Sequence, residues 1–229
     1  MKILIACEES QRITIEFRRL GHEAYSCDIQ EPSGNHPEWH IKEDVLKIIE
    51  GGEFKTLDNI KHVVCQWDLM IAHPPCTYLS NVATRHYSLK CTSAENVIAR
   101  LREQEKAIVF FLLLMYAPIS KIAVENPVGI MNSIYRKPDQ IIHPYYFACG
   151  PEDKENWQTK RTCFWLKNLK PLEYKIPDSK PEPVYYLKTT GKPVMNVEGK
   201  HGAKLRSKTY PAVAKAIAEQ WGSYTNEEN

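Results

Sequence analysis

Residues 68–80 read DLMIAHPPCTYLS, an apolar run closed by His73-Pro74-Pro75 with a thiol, Cys76, directly after it. Proline fixes φ and carries no amide hydrogen, so a ladder strand stops there and the next loop leaves at a set angle. A cysteine that only fills core volume needs no such mount. A nucleophilic thiolate does, because a small misplacement is costly to its rate. A second apolar stretch, ISKIAVENP, ends on Glu125-Asn126-Pro127. A carboxyl group near an apolar floor is expected to have its pKa raised and to act as an acid; on its own it reads equally as a turn acceptor. Asp28 ends a third run, EAYSCD, and Asp44 sits in KEDVL. An acid ending the second strand of a βαβ unit suits ribose hydroxyls of a nucleotide-like cofactor, while a cap is the ordinary role for either.

These residues matter only if the chain brings them to one place. KILIAC reads as a strand, ITIEFRRLG as a helix stopped by Gly21, and EAYSCD as the next strand. That order is the opening of a doubly wound α/β sheet. Further along, DVLKIIEGG suggests a helix and WDLMIAHPP a buried strand, with a polar loop over 77–96. AENVIARLREQEKAIVFFLLLMYA suggests a long helix, ISKIAVENP and RTCFWL strands, and PAVAKAIAEQWG a closing helix with Pro at its start and Gly at its end. The fold class is therefore α/β, with a mostly parallel sheet. Ligands of such sheets sit beyond the carboxyl ends of the strands, which is where Cys7-Glu8-Glu9, Asp28, the Pro-Pro-Cys and the Glu-Asn-Pro would converge.

Composition sets outer limits. With 43% hydrophobic and 25% charged residues the chain reads as an ordinary globular protein, and its longest apolar run, IVFFLLLMYAPI, is short of the roughly 18 residues of a membrane span. MKILIACEES meets glutamates at once and has no small-residue cleavage site, so an intracellular, cytoplasmic protein is expected. Seven cysteines without a CxxC pair argue against a disulfide framework or a zinc ribbon. His36, His40 and Cys27 lie close together, but the proline between the histidines keeps them off one helix face, and no metal is expected. From Lys167 to Lys208 ten Lys/Arg face four acids in a Pro-rich stretch, which suits a polyanion or simply a solvated loop. Tyr185-Tyr186 within it read as base-stacking or packing residues.

The ordered motifs resemble the DNA cytosine-5 methyltransferases, and more closely their compact phage and prophage branch. Pro75-Cys76 matches the family's nucleophile motif and Glu125-Asn126 its Glu-Asn motif, with loop, helix and strand between them. NWQTKRTCFWL resembles the basic motif that steadies a flipped base, and RSKTYPAVAKAIAEQW the closing motif. The resemblance implies a Rossmann-like sheet of the S-adenosylmethionine-dependent methyltransferase type over 1–167 and 204–229. Residues 168–203 would be a very small insertion in place of a target-recognition domain. It also implies methyl transfer to C5 of cytosine in DNA, the base flipped out of the helix, with low or short-motif sequence specificity. Cys76 would add to C6, Glu125 would bond or protonate the N3 side, and Arg161 would support the O2 edge. Cofactor contacts would come from Cys7, Glu8, Glu9, Ser10, Asp28, Ile29, Asp44, Val45, His73, Pro74 and Thr209. Substrate contacts would come from Pro75, Asn126, Pro127, Lys160, Lys204, Arg206 and Lys208.

Departures from the family pattern are specific. The first turn, ACEESQ, has no glycine where the family's is Gly-rich, so Glu9 and Ser10 are expected to meet the cofactor differently. Thr77 stands where a glutamine is usual, and Ser207-Lys208-Thr209 replaces a Gly-Asn. Two other readings stay open: a non-catalytic protein of this fold that binds nucleic acid or cofactor, as a decoy or an anti-defence factor, and C5 modification of a free cytosine nucleotide or RNA.

Overall fold

The computed structural model describes residues 1–183, 185–186, 193–194 and 207–223, without side chains at 82, 83, 85 and in the two short pairs. In chain order the regular elements are β1 (Lys2–Ala6), α1 (Arg12–Arg19), β2 (Glu23–Asp28), β3 (His40–Lys42), β4 (Gly52–Lys55), β5 (Lys61–Val64) and β6 (Leu69–Ala72). They continue with α2 (Ala94–Met115), β7 (Lys121–Pro127), α3 (Met131–Ile134), β8 (Gln140–Ile142), β9 (Thr162–Lys167), β10 (Tyr185–Tyr186), β11 (Pro193–Val194) and a closing helix, α4 (Pro211–Gly222). The central sheet has seven strands in the order β3-β2-β1-β6-β7-β9-β8. β3, β2, β1, β6 and β7 are mutually parallel, while β9 runs antiparallel to both β7 and β8. The chain is thus α/β with a mostly parallel sheet. Among the described residues no helix is long and apolar enough to cross a membrane.

The strands read as near-continuous apolar runs because both sheet faces are covered. Successive side chains alternate: Leu4 and Ala6 join a core with Tyr25, Met70, Phe111 and Trp165 on the α2 side. Ile3 and Ile5 join Phe17, Leu69, Phe164 and Trp221 on the α1/α4 side. Each fully buried Leu, Ile, Met or Phe among them contributes about 1.5–3 kcal/mol of transfer free energy. The first residues of the expected insertion belong to this second core. Leu172 is buried, its backbone exchanges hydrogen bonds with the Gln140 side chain, and the Lys170 carbonyl accepts from the Trp221 indole.

The helix expected over DVLKIIEGG is only a 3₁₀ turn, Val45–Lys47. Gly51 and Gly52, at φ +88 and +109, turn the chain instead into the β4–β5 hairpin, which the sequence pattern did not suggest. Its Phe54 packs against Tyr25 and Trp67. The loop after Cys76 also holds a 3₁₀ helix, Asn81–Tyr87.

Two loops are stitched together just beyond the strand ends. Ser80 bridges Gly129, Asn81 N–H donates to the Val128 carbonyl, and Ile130 N–H donates to that of Leu79. A Cβ on Gly129 would fall on the Leu79 carbonyl oxygen, a backbone atom that cannot swing aside. Gly129→Ala is therefore expected to destabilise the fold by roughly 1–3 kcal/mol, measured by urea unfolding, and to raise hydrogen exchange across residues 77–81.

Candidate functional site at the strand ends of β1, β6 and β7

Register builds the site. Ala72 on β6 is paired with Val124 on β7, so the next residues, His73 and Glu125, stand side by side as the strands end. His73 Nδ1 lies 3.1 Å from Glu125 Oε2, and both side chains are largely buried. The His73 amide donates to the Ala6 carbonyl, tying this end of β6 to β1. Pro74 and Pro75 have no amide hydrogens to anchor them, and Asn126 does so instead: its Nδ2 donates to the Pro74 carbonyl at 2.8 Å. The Cys76 carbonyl then accepts from Leu79 and Ser80, so the nucleophile candidate opens a turn and stands exposed on the rim.

The segment after Cys76 is clamped onto α2. Arg100 donates to the Thr77 carbonyl at 2.9 Å and lies over the rings of Tyr78 and Tyr87. One turn on, Gln104 donates to the Tyr78 carbonyl and the Tyr87 hydroxyl. Arg100 and Gln104 were not singled out from the sequence. Their only signal there is an i, i+4 spacing of long polar side chains on a helix.

Electrostatics differ from expectation at Glu125. Burial alone would raise its pKa, but the hydrogen bond from His73 and the charges of Lys160 and His73 outweigh it and hold the carboxyl below its ordinary value. Glu125 is thus a carboxylate in the ligand-free site, not the raised-pKa acid expected. Cys76 goes the other way: desolvation first, then Glu125, push the thiol up, and Lys160 pulls it partly back. The cation whose field reaches both groups is Lys160. Arg161, expected at the base edge, instead acts on His143 and Tyr146. Three buried polar atoms here lack partners among the described residues, namely Glu125 Oε1, His73 Nε2 and Asn126 Oδ1. Unpaired buried polar atoms are costly and mark places where a ligand can complete the bonding.

The turn after β1 solves its lack of glycine in its own way. Cys7 and Gln11 both take left-handed backbone, at φ 60 and 57, where glycine is at home. Glu8 is buried and folds forward onto α1: Oε1 accepts from the Ile13 amide at 2.7 Å, and Oε2 from the Thr14 amide and hydroxyl. The helix start therefore carries its own carboxylate. Burial raises the Glu8 pKa against the pull of Thr14, His73 and the two amides. Gln11, wholly buried, holds His36 N–H and carbonyl, and the Ser33 amide donates to the Glu9 carbonyl. Ser10 is buried within the same turn.

Asp28 and Asp44 share one neighbourhood at the rim: burial, then these two carboxylates, push the Cys7 thiol up to about 12. Each also has a local duty, Asp28 accepting from the Gln30 amide and Asp44 capping its 3₁₀ turn through Leu46. Ile29 beside them is 74% exposed, whereas the Val45 side chain is in the core and cannot reach a ligand. His36 stacks on Trp39, and buried His40 bonds Ser26 and the Gln30 carbonyl.

The closing segment docks on this turn. Arg12 donates to the Thr209 carbonyl, and Lys208 Nζ donates to Ser33 Oγ at 2.7 Å, which ties Lys208 to the loop that follows β2. Thr209 and Tyr210 line a narrow cleft of about 20 Å³ with His73, Glu125, Lys160 and Thr162. A larger, open hollow of about 420 Å³ lies between α4 and residues 147–156 and contains none of the expected residues. Lys204 and Arg206 lie outside the described residues, as do the side chains of Tyr185 and Tyr186. No protein-family model matches the chain, and no curated protein does.

Two outcomes follow from the charges. Removing the negative charge with Glu125→Gln lowers the Cys76 pKa, so iodoacetamide should label Cys76 about threefold or more faster at pH 8, read by mass spectrometry of its peptide. The depressed Glu125 pKa adds stability above about 4.5, its ordinary value, and that stability is lost as pH falls through the lower folded-state value. His73→Phe, which leaves the burial but removes the donor, should move this loss upward in pH, followed by the ¹³C carboxyl shift of Glu125.

Proposed function

We propose that the chain transfers a methyl group from S-adenosylmethionine to C5 of cytosine in DNA, through a Cys76 adduct at C6. The observation that carries this reading is the joint mounting of Cys76 and Glu125 on adjacent parallel strand ends. The thiol is fixed by two prolines and Asn126, with one cation, Lys160, common to both groups. The sheet order supports the Rossmann-like methyltransferase type, since β1 and β6 flank the point where strand order reverses and ligands of such sheets bind.

The chain's own residues fit the cofactor. Its sulfonium and ammonium are cationic and its ribose hydroxyls donate, and the rim beyond β1 and β2 offers the Asp28 and Asp44 carboxylates. Exposed Ile29 offers an apolar surface for a purine ring. With Glu8 on the amides of α1, the turn is unsuited to the pyrophosphate that such helix starts often hold. When bound, S-adenosylmethionine supplies an electrophilic methyl group.

Cys76 loses its proton to solvent, and its sulfur forms a bond to C6 as the C5–C6 π pair shifts toward C5. Glu125 Oε1, the carboxylate oxygen left free by His73, faces the N3 side of the ring. It accepts from the exocyclic amine, which orients the ring, and a proton taken up from solvent and shared between Oε1 and N3 draws electrons from C6. Lys160 offsets the charge of the thiolate and of Glu125. Once C5 carries the methyl group, its proton leaves to solvent and the sulfur–C6 bond breaks, restoring the ring and the thiolate. The narrow cleft must open for a base to enter, which is consistent with a flipped nucleotide arriving from outside. The glycine-free turn ACEESQ favours one second reading, a protein that binds nucleic acid without transferring a methyl group.

Incubation with labelled S-adenosylmethionine and duplex DNA, single-stranded DNA or dCMP, followed by nucleoside analysis, separates these readings. The expected result is labelled 5-methylcytosine in DNA, with at least a thousandfold loss in Cys76→Ala. Label in dCMP alone would make the substrate a free nucleotide. Binding of DNA without label in any substrate would favour the non-catalytic reading.

A further inference from the structure

On the side of β9 away from Glu125, a second group of side chains converges without an evident duty. The antiparallel register of β8 and β9 pairs Ile142 with Thr162, so His143 and Arg161 follow as opposite neighbours. The His143 ring packs against Tyr145 and Tyr146, with centroids at 5.6 and 5.4 Å. Its Nδ1 is buried and has no hydrogen-bond partner among the described residues. Tyr174 stacks on Tyr146 at 4.7 Å and an interplanar angle of 17°, which returns the chain over the same place. Six residues on, Lys180 joins Arg161 in acting on both His143 and Tyr146.

The charges are one-sided. Neither Arg161 nor Lys180 forms an ion pair among the described residues. Burial, then Arg161, then Lys180 lower the His143 pKa, and no carboxylate offsets them. The imidazole is therefore neutral near pH 7, and the tautomer with hydrogen on Nδ1 offers an unused N–H. Two uncompensated cations around a desolvated donor repel each other unless an anion is present. An arginine fork, a lysine point charge and a neutral N–H donor suit the tetrahedral oxygens of a phosphate.

We propose that Arg161, Lys180 and His143 form a phosphate-binding site where β8 ends and β9 begins, separate from the Cys76–Glu125 centre. The inference rests on the nucleic-acid reading above for the source of the phosphate: a backbone phosphate flanking the base that enters the cleft. Tyr146 and Tyr174 then stand beside the neighbouring sugar. The free 5′-phosphate of a mononucleotide has the same chemistry and is the other source.

The test begins with inorganic phosphate titrated into ¹⁵N-histidine-labelled protein, His143 being assigned with His143→Gln. The His143 nitrogens should shift, and the shift should disappear in Arg161→Ala/Lys180→Ala. Salt dependence of binding to a cytosine-free oligothymidylate, and to dCMP, is then compared between wild type and that double variant. The expected result is at least a tenfold weaker oligonucleotide affinity at low salt and a log–log slope reduced by about 0.7 per lost phosphate contact. An unchanged thermal melt would show that the fold is intact. Loss confined to dCMP would keep the phosphate site but assign it to a mononucleotide, and would count against the polymer reading. Phosphate that shifts His143 while no nucleotide binds would keep the site and remove the proposed function. No His143 shift, or an unchanged slope and affinity in the double variant, overturns the inference.

Discussion

A pair of consecutive prolines cannot be anchored through its amides, because it has none. At the end of β6 this leaves the carbonyls as the only backbone handles, and Asn126 takes that of Pro74. The whole rim depends on that bond. It joins the strand that carries the thiol to the strand that carries the carboxylate, and it comes from the residue immediately after Glu125. Without it, the β6–β7 register would still bring His73 to Glu125, but the direction in which Cys76 leaves the sheet would rest on the proline rings and the loop contacts beyond them. The neighbouring bonds between residues 79–81 and 128–130 extend the same link outward.

Charge in the site is arranged around a carboxylate that is ionised rather than one that stores a proton. His73 and Lys160 hold it so, and the same carboxylate raises the thiol beside it. The resting centre is therefore quiet: a protonated thiol and a paired carboxylate. A ligand that takes up the charge of Glu125 would also relieve the thiol, so occupancy and ionisation of the thiol are coupled through one electrostatic contact. Lys160 acts on both partners, and it also lies over the Tyr210 ring at 5.9 Å, which links this balance to the closing segment.

Much of this was legible in the sequence because it is local. The β-branched run of β1, the Gly21 stop, the acid at the end of β2 and the Pro-Pro after β6 each act within a few residues, and they gave the order of the α/β unit. Glu125 was legible as a position but not as a charge state, since its pKa is set by His73, 52 residues earlier, and by Lys160. The separation of Lys160 from Arg161 was equally hidden: adjacent cations in an irregular stretch carry no mark of which way each faces. The β4–β5 hairpin was missed because its strands are short and expose most of one face, so its signal was two glycines that also suit a helix end. Glu8 looked like a ligand contact in an acidic turn, whereas its carboxylate is spent on amides five and six residues on.

That use of Glu8 has a consequence for motion. Strand, turn and first helical turn are closed on each other by buried hydrogen bonds, with Gln11 locking the next loop onto them, so this turn opens only with the core of the sheet. The closing segment is different. Residues 207–210 lie across the turn as a strap, fastened by Arg12 to the Thr209 carbonyl and by Lys208 to Ser33, both only partly buried. Tyr210 adds its packing against the core and its place under Lys160, so the strap is held at more than its surface bonds. The rim thus joins a turn that is built into the sheet to a strap that is laid over it.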